Sequence, residues 1–239
     1  MNEIKVLGYS ERGIFNSIVF YLRKHPEKIS GFLSKLDIKD AFFDNEVLYT
    51  FLNEQSFSDF GDNDWTIIAE KGNEKRVIFI EGKVKTSQGK FSLETNYDKL
   101  KERKKFDGIS SNVFVQLFYK FLLVKSIKGD TDNTNFYELD DIFKKNDRKG
   151  GLTDRKIGKN PIVEEAINKI KNAKLYYYVA VLPIPLSSND FIRKFQDLKL
   201  PMETENIKCT YWGDIESYFD NAPEVKENFE YNKGQIYEL

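Results

Sequence analysis

The clearest helical pattern lies near the start of the chain. Ile14, Ile18 and Leu22 stand at i, i+4 and i+8, which places them on one face of a helix. Ser10 has the side chain of an N-cap, and Pro26 is a typical helix breaker. We therefore predict an amphipathic helix that starts at Ser10 and ends near Pro26.

The next strong pattern is that of a β-hairpin. Two β-rich runs, 65–69 and 77–84, flank a charged turn that contains Gly72 and Asn73. Gly-Asn between two such runs is a two-residue hairpin signal. The sequence between Asp64 and Lys83 therefore predicts two antiparallel strands joined by this turn.

The position of the turn predicts the register of the hairpin. Centring the turn on Gly72 and Asn73 places opposite charges across the strands, as Lys71 with Glu74 and Glu70 with Lys75. The same ladder places Asp64 opposite Glu81. Because side chains alternate along a strand, Lys83 falls on the face that carries Glu81.

The remaining patterns indicate a mixed sheet flanked by helices. They comprise mixed or helical structure at 29–57, a charged helix within 91–107, a buried helix at 112–127, a polar loop or insertion at 128–160, a helix from 162 to 174, a central strand at 175–185, a helix capped by Ser188, and a strand from 209 that leads into a final helix. This order predicts a single α/β domain over residues 1–239.

The residue composition restricts the kinds of binding and catalytic site that the chain can form. The chain has 37 Lys and Arg against 38 Asp and Glu, so any polyanion site must be a local basic patch. It has one histidine, His25, and one cysteine, Cys209, which disfavours Ser-His-Asp and Cys-His catalysis and a multi-thiolate zinc site. No signal-peptide pattern or apolar run of membrane-spanning length appears, so we expect a cytoplasmic protein without a membrane span.

The pattern acid-x-Lys recurs along the chain, but one copy has a distinctive context. Glu81-Gly82-Lys83 ends an apolar strand, and the hairpin places Asp64 opposite its acid. Two carboxylates about 5 Å apart repel each other unless a proton or cation lies between them. Carboxylate oxygens, a backbone carbonyl such as that of Gly82, and water form a typical Mg²⁺ shell. Lys83 would then assist an attacking water or stabilise transition-state charge.

This constellation resembles the PD-(D/E)XK superfamily of nucleases. The resemblance rests on Asp64, on Glu81-Gly82-Lys83, on Glu11 in the first helix and on Gln116 in the buried helix. It implies a restriction-endonuclease-like fold and a nuclease that acts on nucleic acid, with DNA as the expected substrate and Mg²⁺ or Mn²⁺ as cofactor. Asn63 replaces the signature proline.

The resemblance also implies residue roles. Asp64, Glu81 and the Gly82 carbonyl are expected to hold the metal, Lys83 to assist hydrolysis and Glu11 to complete the catalytic set. Gln116 would lie near the substrate phosphate, with Tyr119 and Lys120 on the same side of the helix as further candidate substrate contacts. A homodimer is left open, and the basic stretch 144–159 is a second candidate DNA contact.

Each assignment has a structural alternative. The acids and Lys83 suit a solvent-facing strand end with a salt bridge, and Glu11 suits a helix N-terminus, where acids are favourable. Gln116, Tyr119 and Lys120 suit the polar rim of a core helix. The competing function is a catalytically inactive nucleic-acid-binding or assembly module that retains the fold, which the near-neutral charge favours.

Overall fold

A five-stranded mixed sheet forms the centre of the computed structural model, which describes residues 5–85, 91–102, 111–130, 151–152, 155–200 and 202–237. The strands lie in the order β1-β2-β3-β4-β5. β1 and β2, and β2 and β3, pair antiparallel, whereas β3 with β4 and β4 with β5 pair parallel. The predicted α/β class with a mixed sheet is confirmed.

The bounds of the described strands and helices are as follows. The strands are β1 (Leu48–Ser56), β2 (Asp62–Lys71), β3 (Glu74–Gly82), β4 (Leu175–Leu182) and β5 (Ile207–Tyr211). The helices are α1 (Ser10–Lys24), α2 (Ile29–Lys35), α3 (Leu93–Lys101), α4 (Val113–Lys128), α5 (Pro161–Ile170), α6 (Ser188–Asp197), α7 (Trp212–Tyr218) and α8 (Pro223–Ile236).

Helices cover both faces of the sheet and create two apolar cores. α1, α2, α7 and α8 pack on one face, around Trp65, Ile78 and Val179. α3, α4, α5 and α6 pack on the other, around Phe79 and Tyr178. Burial on both sides explains why β4 is an almost continuous apolar run, since neither face of a central parallel strand meets water.

The predicted hairpin is confirmed together with its register. Thr66 pairs with Phe79, Ile68 with Val77, Glu70 with Lys75 and Lys71 with Glu74. β1 lies within the segment 29–57, which the sequence pattern predicted as helical or mixed structure. β1 is an edge strand whose residues are exposed or half-buried on both faces, so it lacks the alternation that identifies a strand.

Two capping assignments are wrong by one residue. Ser10 is the first residue of α1 and has a left-handed φ of 66°, whereas Tyr9, with extended backbone, occupies the N-cap. Ser187 rather than Ser188 caps α6, by accepting from the Asp190 amide at 3.1 Å. Ser188 instead exchanges hydrogen bonds with the backbone of Cys209 on β5.

The polar segment 128–160 lies partly outside the described residues. Residues 128–130 complete and cap α4, and 155–160 lead into α5, whereas 131–150, 153 and 154 are not described. The predicted insertion and most of the basic stretch 144–159 therefore stay predictions. Within the part of the chain that the structure describes, no helix combines the length and apolar character required to cross a membrane.

The cap of α4 generates a stability prediction. The buried Asn112 side chain accepts from the Phe114 amide at 3.0 Å and donates to the Asn96 carbonyl at 2.7 Å. Asn112→Ala should lower the free energy of unfolding by about 1–2 kcal/mol, because it removes a cap at a buried position and leaves the half-buried Asn96 carbonyl without its donor. Chemical denaturation would measure the change.

Asn160→Ala is the matched control. Asn160 caps α5 through the Ile162 amide at 2.9 Å but is exposed to solvent. Water can replace the lost partner there, so we expect a smaller loss than at Asn112. An equal loss of unfolding free energy in both variants would show that burial of the cap does not determine its contribution.

Candidate active site

The candidate site lies where β2 begins and β3 ends. The register brings Trp65 opposite Ile80, and the next pair along the ladder is Asp64 with Glu81. The Gly82 amide donates to Asp64 Oδ2 at 2.8 Å, which fixes this carboxylate against β3. The two acids therefore lie on the same face of the sheet, as the turn position predicted.

Glu81 is the most unusual residue of the site. Its side chain is 0% exposed, and neither carboxylate oxygen has a hydrogen-bond partner among the described residues. Lys120 Nζ lies 3.6 Å from Glu81 Oε1, and Lys83 Nζ lies 3.9 Å from Glu81 Oε2. Both separations give electrostatic attraction but exceed an ordinary hydrogen bond. A fully buried carboxylate thus faces two ammonium groups at distances longer than a hydrogen bond.

Burial and charge shift the titration of these acids. Burial first, and the charge of Asp64 second, raise the pKa of Glu81 to about 8. Burial also raises the pKa of Asp64, and Lys83 opposes that shift. The two carboxyl groups are close enough to share a proton. When both are ionised they repel each other, and a cation between them would offset that repulsion.

Lys83 is positioned through its backbone. Its amide donates to the Val181 carbonyl on β4 at 2.8 Å, and its carbonyl accepts from Trp212 Nε1 at 2.8 Å. The first residue after β3 is therefore held by the neighbouring strand and by a buried tryptophan of α7. The Lys83 side chain is 16% exposed, so it can reach both the acids and the solvent side of the site.

Glu11 approaches the site from the other face of the sheet. A Cβ atom built on Gly82 would lie 3.0 Å from Glu11 Cβ and 2.9 Å from Phe15 Cε2. Only glycine lets the start of α1 pack this closely against the end of β3. Ser10 donates to the Glu11 carboxylate, and the charge of Glu11 contributes to the raised pKa of Asp64. The structure thus places Glu11 against Gly82, and its role in a catalytic set stays a prediction.

The three predicted residues of α4 have different surroundings. Gln116 is half-buried, and its Oε1 has no hydrogen-bond partner among the described residues. Tyr119 is buried, and the Arg155 guanidinium lies 3.7 Å from the centre of its ring. Lys120 is 0% exposed. Lys120 therefore faces Glu81 in the interior and differs from the polar rim that the sequence suggested.

Lys120 also binds the turn that precedes β2. Its Nζ donates to the carbonyls of Phe60 at 3.0 Å, Gly61 at 3.4 Å and Asp62 at 2.8 Å. Sequence reasoning missed this arrangement, although a signal was present. Lys120 stands inside a run that is apolar on every side of the helix, and a lysine there is buried and requires partners.

The donor set suits a hard divalent cation. Asp64 and Glu81 offer carboxylate oxygens, and those of Glu81 are buried and unpartnered. In the described ranges, no three Asp, Glu, His or Cys side chains converge into a complete metal cage. A cation held by two acids would complete its shell with a carbonyl and water, which is usual for Mg²⁺.

Comparison of the chain with protein-family models, with curated proteins and with solved structures gives no match in any of the three. Membership of the PD-(D/E)XK superfamily therefore stays a prediction. It rests on the quoted residues and on their arrangement in the fold.

The raised pKa of Glu81 generates a prediction about stability and pH. A carboxyl that binds its proton more tightly in the folded state contributes stability at low pH, and this contribution is lost as pH rises from its ordinary pKa towards about 8. Without divalent ions, wild-type stability should fall over this range by up to ~1.4 kcal/mol per pH unit. Glu81→Gln, which cannot ionise, should melt above the wild type at pH 8.

Glu70→Gln is the matched control, because Glu70 lies on the same hairpin and pairs with Lys75 at the surface. Its melting temperature should follow the wild-type pH profile. Mg²⁺ or Mn²⁺ should raise the melting temperature of the wild type and of Glu70→Gln at pH 8, and have little effect on Glu81→Gln. If the melting temperature of Glu81→Gln changed with pH as that of the wild type does, Glu81 would not be the group responsible for the pH dependence.

Proposed function

We propose that this protein is a metal-dependent nuclease that hydrolyses phosphodiester bonds of nucleic acid, with DNA as the first substrate to test. The observation that carries the proposal is the Glu81 carboxylate, which is fully buried and lies beside a second acid, with its two ammonium neighbours beyond hydrogen-bond distance. An ordinary surface salt bridge would not require burial of the acid. A cation site would explain why two neighbouring acids are retained in the interior.

The Asp64 and Glu81 carboxylates would bind the metal ion and fix its position. Asp64 is already aligned by the Gly82 amide, and Glu81 is held by its pairing with Ala180 on β4. The Gly82 carbonyl follows directly after Glu81 and is the proposed third oxygen ligand. A bound Mg²⁺ or Mn²⁺ would supply Lewis-acid activation of water and neutralise charge on the scissile phosphate.

Lys83 would act on the substrate side. It is the lysine beside Glu81 that keeps access to solvent, whereas Lys120 is enclosed. An ammonium group there can orient the attacking water or stabilise the negative charge that develops on the phosphate. Glu11, held near Gly82 by close packing, would accept a hydrogen bond from water at the edge of the site.

The arrangement also supports the restriction-endonuclease-like version of the α/β fold as a proposal. A hairpin carries both acids, β3 continues in parallel with β4, and α1 and α4 approach from opposite faces. We keep Gln116 as a proposed phosphate contact, because it lies half-buried on α4 and its Nε2 amide group could donate to a phosphate oxygen. The structure gives Tyr119 and Lys120 interior partners instead.

Lys83→Ala should abolish cleavage while the fold and Mn²⁺ affinity are retained. The side chain supplies no oxygen ligand, and its loss removes a cation from the reacting phosphate, which raises the barrier by about 3–4 kcal/mol and slows cleavage by roughly 10²–10³ or more. The measurements are Mn²⁺-dependent cleavage of single- and double-stranded DNA and RNA, Mn²⁺ affinity and melting temperature. Glu81→Gln should instead lose both cleavage and Mn²⁺ affinity.

Lys128→Ala is the matched control, because Lys128 is an exposed lysine at the end of α4 and should leave cleavage unchanged. Cleavage at the wild-type rate by Lys83→Ala would remove this lysine from the mechanism. Absence of cleavage by the wild type on every substrate, with Mn²⁺ binding intact, would favour the inactive binding module.

A further inference from the structure

The ammonium group of Lys120 lies inside a cage of protein oxygens. The Phe60, Gly61 and Asp62 carbonyls accept from it at 2.8–3.4 Å. Glu81 Oε1 is the fourth oxygen, at 3.6 Å. Three carbonyl acceptors match the three N–H donors of an ammonium ion, so the cage suits the charged form of the side chain.

This cage is built into the scaffold. Two of its carbonyls belong to the connection between β1 and β2, and the third belongs to Asp62, the first residue of β2 and two residues before Asp64. The lysine stem belongs to α4, which is buried along most of its length. The ammonium therefore cannot leave Glu81 without breaking hydrogen bonds to three consecutive residues.

We infer that Lys120 is a tethered cation that occupies the second cation position beside Glu81, so that the site binds a single divalent ion between Asp64 and Glu81. This inference rests on the proposed metal site. Two-metal sites hold their ions about 3.5–4 Å apart around shared ligands. On the Oε1 side of Glu81, that space is filled by the Lys120 ammonium.

The first test is the number of Mn²⁺ ions bound per wild-type chain, measured by titration calorimetry and by the loss of the free Mn²⁺ resonance signal. We expect one ion per chain, absent from Glu81→Gln and present in Lys128→Ala. Two ions per chain, both lost in Glu81→Gln, would overturn the inference and leave the proposed nuclease site intact. No bound Mn²⁺ would overturn both.

The second test separates the charge of Lys120 from the packing of its stem. Lys120→Ala empties the cage, which ammonium or potassium ions can enter and tetramethylammonium cannot. The variant should melt at least several degrees higher in ammonium chloride than in tetramethylammonium chloride of equal ionic strength, whereas the wild type and Lys128→Ala should not distinguish the salts. An equal melting temperature in both salts would overturn the tethered-cation role. If the variant does not fold in either salt, the number of Mn²⁺ ions bound per wild-type chain decides whether the inference holds.

Discussion

The Glu81 carboxylate and the charges around it are the constraint on which the rest of the site depends. Removing an ionised carboxylate from water costs several kcal/mol unless a proton or a cation accompanies it. The attraction of Lys83 and Lys120 and a proton shared with Asp64 oppose that cost. In the proposed function, a divalent cation between the two acids would take the place of that proton.

The scaffold holds this arrangement from several directions. β3 is paired on both sides, so Glu81 cannot move out of the sheet. The turn before β2 is held by Lys120 from α4, and the segment after β3 is held by Trp212 from α7. A change in the packing of α4 or α7 would therefore displace the residues that flank the acids. The geometry of the acids thus depends on the packing of both cores.

The two lysines near Glu81 show how burial separates residues of the same type. Lys83 follows the last residue of a strand, where its long side chain reaches solvent, and suits a role at the reacting phosphate. Lys120 projects from the middle of a buried helix and donates to backbone carbonyls that hold its ammonium group in place. In the proposed function, Lys83 acts on the substrate and Lys120 stays within the protein.

The sequence by itself determined the hairpin, its register and the pairing of Asp64 with Glu81, because turn chemistry and cross-strand charges are local. It also indicated α1, α4 and the doubly buried β4, because their apolar patterns are long. Tertiary structure alone decided that β1 joins the sheet as an edge strand with little alternation, and that Lys120 turns inward to the carbonyls of residues 60–62. Such contacts join segments about 60 residues apart, so no local pattern encodes them.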